Sequence, residues 1–338
     1  LGAAFPPTSN FAMGIRVLEA GLYTTVQDAG RSGQRRWGIG RSGALDGLAA
    51  SLLNILLGNP LEAALLEMHF PGPRLRFEQA TVMAIGGADF APTLDGRPLA
   101  NWQRHVVQPG QELAFRQPRR GRWAYLAVAG GLATPRWLGS ASMNPFAGLD
   151  GLLGRPLRAG DEIPLSPGLP TPAAGLALAH RVRPEYVTDD TRPLRVLPGA
   201  EFHALDPDSQ AALFDEAMTI GADSNRMATR LEGVCLRLAY PVELVSSAVA
   251  CGSIQLPPDG RPVVLLADAQ TIGGYPRVAH IITADLPDFV QRRPGQPVRF
   301  QPTTIVEAER AAATQRQRLR QLATAVALTD TARTVPER

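Results

Sequence analysis

Apolar positions in this chain fall mostly into short runs, each broken by glycine, proline or a small polar cluster. "GIRVLEAGLYTTVQDAG" (Gly14–Gly30) alternates β-rich pieces with glycine, as strands and turns do. "ALDGLAASLLNILLG" instead places Leu45, Leu48, Leu52, Ile55 and Leu56 at helical spacing, with Ser42 as the expected cap and Gly58-Asn59-Pro60 as the stop. "LEAALLEMHFPG" reads as a segment that begins helical and becomes a strand. Short apolar runs then return from Phe77 to Leu165. Three times, in "QPGQELAF", "RAGDEIPL" and "RPGQPVRF", a glycine turn leads into alternating apolar residues, which predicts a turn entering a half-buried strand. Because the pattern occurs in both halves, it points to two related β-barrels.

Residues 166–193 are rich in proline and small residues without a clear period, and read as a linker. "LRVLPG" restarts strand-like sequence at Leu194, a helix is expected around Asp208–Ala217, and an amphipathic helix with arginine on one face is expected beyond Val306. The expected organisation is a loose or non-native start (1–12), a β-rich N-terminal subdomain (13–165), the linker (166–193), a C-terminal barrel (194–304), and a helix and tail (305–338). The fold class is mainly β, a β-rich α+β chain with barrel-type subdomains.

Composition narrows the chemistry. A chain of 338 residues, 45% hydrophobic and 19% charged, has room for about two domains with their own cores. Net charge is +3 and no basic block is interleaved with aromatics, so nucleic acid is not an expected partner. All 34 basic residues are arginine. Without lysine there is no Walker-type phosphate loop, no Schiff-base lysine, no Ser-Ser-Lys amidase triad and no attachment point for biotin on this chain. Cys235 and Cys251 do not make a disulfide framework, which leads to the expectation of a reducing, cytoplasmic setting. Five scattered histidines lack metal-ligand spacing, so no metal site is expected. No apolar run reaches the roughly 18 residues of a membrane helix, and the start lacks the pattern of a secretory signal.

Four stretches carry candidate chemistry. "GIGRSG" (Gly38–Gly43) spells a dinucleotide fingerprint, but polar "RSGQRRW" precedes it where a buried strand is required, so a Rossmann site is not expected. "TTVQDAGRSG" offers Gln27, Asp28 and Arg31 within five positions; on local chemistry alone a solvated turn with an Asp–Arg pair is favoured over a binding loop. In "GADSNRMATRLEG" a strand would put Arg226 and Arg230 on one face, either as a salt-bridged surface or as a pair that grips a carboxylate or phosphate. In "LVSSAVACGSIQLPPDGRPVVLLADAQTIGGYP" a hairpin closed by "PPDGRP" brings Gln255 towards the residues after Val264. There Asp268 and Gln270 would face one side, beside Thr271 and Tyr275, and Gly273-Gly274 would expose N–H groups as an anion nest. Cys251 has no evident histidine partner and reads as core.

The last three of these stretches, together with "SGALDGLAASLLNILLGNPLEAALLEM", "GRWAYLAVAGGL" and "ITADLPDFVQRRPGQPVRF", resemble the allophanate hydrolase subunit 2, or KipA-like, family of biotin-dependent-carboxyltransferase-like proteins over nearly the whole chain. The resemblance implies cyclophilin-like barrels and, as partner, a KipI-like B subunit. Together with a further A subunit, these would form an ATP-dependent 5-oxoprolinase, using ATP and Mg2+ at the level of the complex to open the lactam of 5-oxo-L-proline to L-glutamate. It implies Asp28, Asp268 and Gln270 as catalytic residues. Gln27, Arg31, Arg226, Gln255, Thr271, Gly273, Gly274 and Tyr275 would bind the amide or lactam substrate. Two other family roles remain open: the carboxyltransferase part of a urea carboxylase, and a non-catalytic regulator that binds a KipI-like kinase inhibitor. The chain departs from the family pattern at Ala141 and Met143 (usually Arg and Thr), Ser247 (Glu), Ala269 (Arg) and Ala228-Thr229 (Gly-Tyr).

Overall fold

Wherever the sequence alternates, the chain forms sheet. The computed structural model describes residues 14–167, 184 and 192–334. The expected loose start, most of the expected linker and the end of the tail lie outside the described residues. A six-stranded sheet runs in the spatial order Glu162–Ile163, Ile15–Glu19, Arg74–Phe77, Glu112–Phe115, Pro92–Leu94, Arg97–Pro98. A five-stranded sheet has the order Tyr23–Gln27, Leu65–His69, Arg120–Val128, Thr81–Asp89, Arg104–Val107. Ile15, Val17, Leu75, Phe77 and Leu113 of the first pack against Val26, Met68, Met83, Ile85 and Leu126 of the second.

The five-stranded sheet is buried on its other face too. There Leu65, Ala84, Trp123 and Tyr125 join Leu53 and Leu56 of the helix Gly47–Leu56, and the same core continues into Val196, Leu231, Ile254 and Phe289 of the C-terminal part. Burial on both faces explains why its strands read as near-continuous apolar runs such as "TVMAI" and "WAYLAV".

The C-terminal part is an eight-stranded sheet in the order Pro297–Val298, Met218–Ser224, Ala228–Glu232, Val263–Leu265, Ser253–Gln255, Arg277–Ile281, Leu194–Pro198, Phe300–Pro302. Its two edge strands are consecutive in the chain, separated only by Arg299, so the sheet curls into a nearly closed barrel. A two-stranded ribbon, Ser247–Ala248 with Ile272–Gly273, stands beside it. All three repeated glycine-turn motifs enter strands, at Glu112–Phe115, Glu162–Ile163 and Pro297–Val298.

Local departures have local causes. The first helix is capped by Asp46, whose carboxylate accepts from Ala49 N–H at 2.9 Å, and not by Ser42, whose own N–H donates to the Ala267 carbonyl. "LEAALLEMHF" contains no helix: Leu65–His69 is a strand paired on both sides, and that pairing overrides the helix propensity of its alanines and leucines. The last helix, Ile305–Thr334, starts with a reciprocal capping box between Thr304 and Glu307. Near its end Asp330 receives a bidentate pair from Arg104, at 2.8 and 2.6 Å, which ties the helix back to the five-stranded sheet. Among the described residues no helix is long and apolar enough to cross a membrane.

Candidate functional site

The two parts of the chain meet over one buried ionic centre. Glu67 is a lone carboxylate in the strand Leu65–His69 and is fully buried. Its Oε2 accepts from Leu45 N–H at 2.7 Å and from the Tyr125 hydroxyl at 2.8 Å, and its Oε1 accepts from Arg226 Nη1. Arg226, just ahead of the barrel strand Ala228–Glu232, also donates to Asp268 (Nε–Oδ2 2.7 Å, Nη2–Oδ1 3.1 Å) and to the Gly43 carbonyl at 2.7 Å. One guanidinium thus joins both parts of the chain. Burial opposes the charge of Arg226, but Glu67 and Asp268 outweigh it and hold the group firmly protonated. Burial, with Glu67 and Asp46 beside it, pushes the Tyr125 hydroxyl well above its ordinary range, so it stays a neutral donor.

A second cluster lies at the end of the strand Tyr23–Gln27. Asp28 accepts from Gly30 N–H (2.8 Å), the Ser140 and Ser142 hydroxyls (both 2.6 Å), Ala141 N–H (2.7 Å) and Arg136 (3.4 Å). Burial alone would raise its pKa; the two hydroxyls and two backbone N–H groups outweigh burial and hold the carboxyl below its ordinary value. Gly30 turns the chain here at positive φ, where a Cβ would come within 2.7 Å of the Arg41 and Ser42 carbonyls.

Arg31 is 1% exposed; its Nη2 donates to the Ser142 carbonyl and Trp137 lies over its Cζ at 4.9 Å. Its Nε and Nη1 have no hydrogen-bond partner, and neither has Oε1 of the fully buried Gln27, whose Nε2 donates to Thr25 at 3.0 Å. Six buried side-chain polar atoms are unpartnered among the described residues, and half of them belong to these two side chains. Buried polar atoms are nearly always satisfied, so the unpartnered groups of these two side chains stand out. Together they offer two donors and one acceptor.

Several expectations need correction. The strand ends at Leu265, so Asp268 and Gln270 do not share a strand face: Asp268 is buried against Arg226 and Gln270 is exposed. Gly273 pairs with Ser247 in the ribbon and neither it nor Gly274 has positive φ, so the pair forms no anion nest. A Cβ at Gly273 would stand 2.7 Å from Gln255 Nε2, which explains the glycine by close approach. Gln255 itself pairs across the expected hairpin with Val263 and donates to the Tyr275 carbonyl at 3.4 Å. Thr271 is buried, while Gly274 is exposed and Tyr275 about half exposed. Arg230 lies on the surface with Asp259 and does not join Arg226. Asp28 has five donors around about four lone-pair positions, and Asp268 is gripped through both oxygens by Arg226.

Ala141 and Met143 are fully buried, and Ala269 packs with Val249 and Leu265, so the Arg, Thr and Arg usual in the family give way to apolar contacts at these places. Burial raises the Cys251 thiol to about 11, against a nucleophilic role. Among the described residues no group of three or more His, Cys, Asp or Glu is arranged to hold a metal ion, and the carboxylates of the site already have protein donors. Mg2+ therefore does not fit the carboxylates of this site, the described residues being taken alone.

Sequence reasoning missed Glu67, Ser140, Ser142 and Trp137. A single carboxylate inside the apolar run "AALLEMHF" was the available signal for Glu67. The two serines and the tryptophan act through contacts over 100 residues distant from Asp28 and Arg31, and no local pattern shows them.

The lowered pKa of Asp28 sets a pH dependence. Its contribution to stability is complete above the unfolded value of about 4 and disappears as pH falls through the lower folded value. Thermal unfolding between pH 5 and pH 2 is expected to show a steeper loss for the wild type than for Asp28→Asn. Parallel curves would mean that the carboxylate is not held as described.

The carboxyltransferase domain family, subdomains A and B, matches residues 37–302. The chain is 37% identical over 309 residues to the C subunit of 5-oxoprolinase from Escherichia coli (strain K12), covering 91% of this chain and 97% of that protein. It is 37% identical over 298 residues to the C subunit of 5-oxoprolinase from Haemophilus influenzae, covering 87% and 93%. Among solved structures, Kluyveromyces lactis urea carboxylase matches with a TM-score of 0.83 at 25% identity, over 94% of this chain and 30% of that one. The chain belongs to the carboxyltransferase domain family, in the branch that includes the C subunit of 5-oxoprolinase.

Proposed function

We propose that this chain acts as the C subunit of an ATP-dependent 5-oxoprolinase, in the cytoplasm, paired with a KipI-like B subunit, while an A subunit makes up the rest of the complex. Near-complete alignment with two 5-oxoprolinase C subunits supports the assignment. In the site, the observation that carries it is the set of unpartnered atoms on Gln27 and Arg31. A lactam presents a carbonyl oxygen and an N–H on one edge: Arg31 Nε and Nη1 take the oxygen and Gln27 Oε1 takes the N–H.

An amide is a poor electrophile, and charge develops on its oxygen when the lactam is activated; fixed cationic donors in a dry site stabilise that charge. ATP, with its Mg2+, supplies the phosphoryl group in the assembled complex. This chain's own residues hold the amide and exclude water. Asp28, with Ser140 and Ser142, fixes the loop that carries Arg31, and the Glu67–Arg226–Asp268 centre fixes the loop that carries Gln270.

Carboxyl transfer from carboxybiotin is the second reading, favoured by the family match and by the likeness to urea carboxylase. The same amide edge serves urea, and the biotin carrier would be separate from these 338 residues, which contain no lysine. Co-purification with the homologous B subunit, followed by an assay of 5-oxoproline-dependent ATP hydrolysis, decides between the two. Carboxybiotin-dependent turnover of urea without 5-oxoproline turnover would reverse the order. In the reconstituted complex, Gln270→Ala is expected to lower single-turnover rates about tenfold with an unchanged melting temperature, because the residue is exposed beside the site. An unchanged rate would remove Gln270 from the site.

A further inference from the structure

Arg31 is covered by a short excursion of the chain that is anchored only at its two ends. At one end Ala133 N–H donates to the Pro164 carbonyl at 2.8 Å. At the other, the Ser140 hydroxyl and Ala141 N–H donate to Asp28 at 2.6 and 2.7 Å. Between these points, residues 134–139 bring Trp137 over the guanidinium, its ring centroid 4.9 Å from Cζ. Trp137 and Ser140 exchange backbone hydrogen bonds at 2.8 and 3.1 Å, so Leu138 and Gly139 form a two-residue turn, with φ of 51° and 81°. Leucine is rare at positive φ, and here it is not compensated by burial: Leu138 is 41% exposed. A Cβ on Gly139 would meet no atom within 4 Å, so the tip stands clear of the rest of the chain.

Little holds the excursion down. Among the described residues, one hydrogen bond joins it to anything beyond itself and Ser140: Arg136 Nη1 donates to Asp28 Oδ2 at 3.4 Å, and that arginine is half exposed. The Thr134 hydroxyl is buried without a partner. What remains is the stack of Trp137 on Arg31, and a cation–π stack and an exposed ion pair are both weak closures. Beneath them, Nε and Nη1 of Arg31 are buried and unpartnered, and the indole offers them a π face but no acceptor atom. Opening would let water or a ligand satisfy both donors, so the closed position is held by weak contacts against a real gain.

We propose that residues 134–139 are a flap that gates Arg31, with Trp137 as the side chain that closes it. With the flap open, an amide reaches Nε and Nη1. With the flap shut over the bound ligand, the indole keeps water out and holds the guanidinium plane in place, which makes Trp137 a positioning residue for Arg31. Ser140 and Ala141 stay anchored on Asp28, so the flap moves without disturbing the turn that carries Arg31. The flap deepens the function proposed above and rests on one part of it, that Arg31 meets the amide of the ligand.

Labelling of the full chain with phenylglyoxal, an arginine-selective dicarbonyl, followed by peptide mass spectrometry, tests the flap without any turnover. Two arginines serve as internal references: Arg158 is exposed, and Arg226 is buried with every side-chain nitrogen paired. In the wild type, Arg31 is expected to label at a rate between theirs, as a group reached through local opening. In W137A its rate is expected to rise about tenfold or more, with W137F in between, while Arg226 stays protected and Arg158 is unchanged. An Arg31 rate that W137A leaves unchanged overturns the flap. So does wild-type Arg31 that labels as fast as Arg158 or is as inert as Arg226. Arg31 and Arg226 speeding up together in W137A also overturns it, since that pattern reports a loosened fold. The function is scored separately: the expected labelling in a chain whose complex does not turn over 5-oxoproline keeps the flap and loses the 5-oxoprolinase role, and turnover without that labelling does the reverse.

Discussion

Arg226→Met is expected to destabilise the chain by about 3–5 kcal/mol, the largest loss expected from any single substitution in the site. The reason lies in what remains. Glu67 is fully buried and Asp268 nearly so, and both direct oxygens at the missing guanidinium. Leu45 N–H and the Tyr125 hydroxyl still serve one oxygen of Glu67, but the other is left unpaired in the core. The Gly43 carbonyl also loses its donor. The penalty belongs to the orphaned carboxylates and not to the pair as such, so R226M combined with E67Q and D268N is expected to recover most of the lost stability. Urea unfolding of both variants checks this. If the triple variant is no more stable than R226M, packing around Arg226 matters more than charge.

Arg31→Met is expected to do the reverse. Arg31 is as buried as Arg226, but two of its three nitrogens have no partner, so its burial is not compensated within the chain. Removing it is expected to leave stability unchanged or slightly raised, while activity of the reconstituted complex falls by about 10²–10³-fold, the size found when a single charge-stabilising donor is removed. Arg31→Lys is not expected to rescue, because an ammonium cannot fill the same fork or stack on Trp137 in the same way. Loss of activity with no loss of stability is what separates a binding group from a structural one.

Much of the fold was legible in the sequence. Alternation and glycine turns located the strands, and Asp46, Asp206 and the Thr304–Glu307 pair begin three of the helices near where periodicity placed them. The strand Leu65–His69 was obscured because a doubly buried strand and a buried helix have the same continuous apolar pattern, and only its neighbours decide. In the site, Gln27, Asp28, Arg31, Arg226 and Asp268 were all visible as polar residues among apolar ones. Their partners were not: Glu67 lies 159 positions from Arg226, and Ser142 lies 114 from Asp28. Distance along the chain also hid the division of roles, since local spacing grouped Asp268 with Gln270 and Arg226 with Arg230, while the structure buries one of each pair and exposes the other.

The most direct test is 5-oxoproline-dependent ATP hydrolysis by this chain mixed with homologues of the A and B subunits proposed for it, run beside the same mixture made with Arg31→Met. Turnover that requires the wild-type chain and is lost with the folded Arg31→Met variant is the expected result. Turnover that persists when the chain is omitted, or that is unchanged by Arg31→Met, would contradict the central claim that this seam holds the amide.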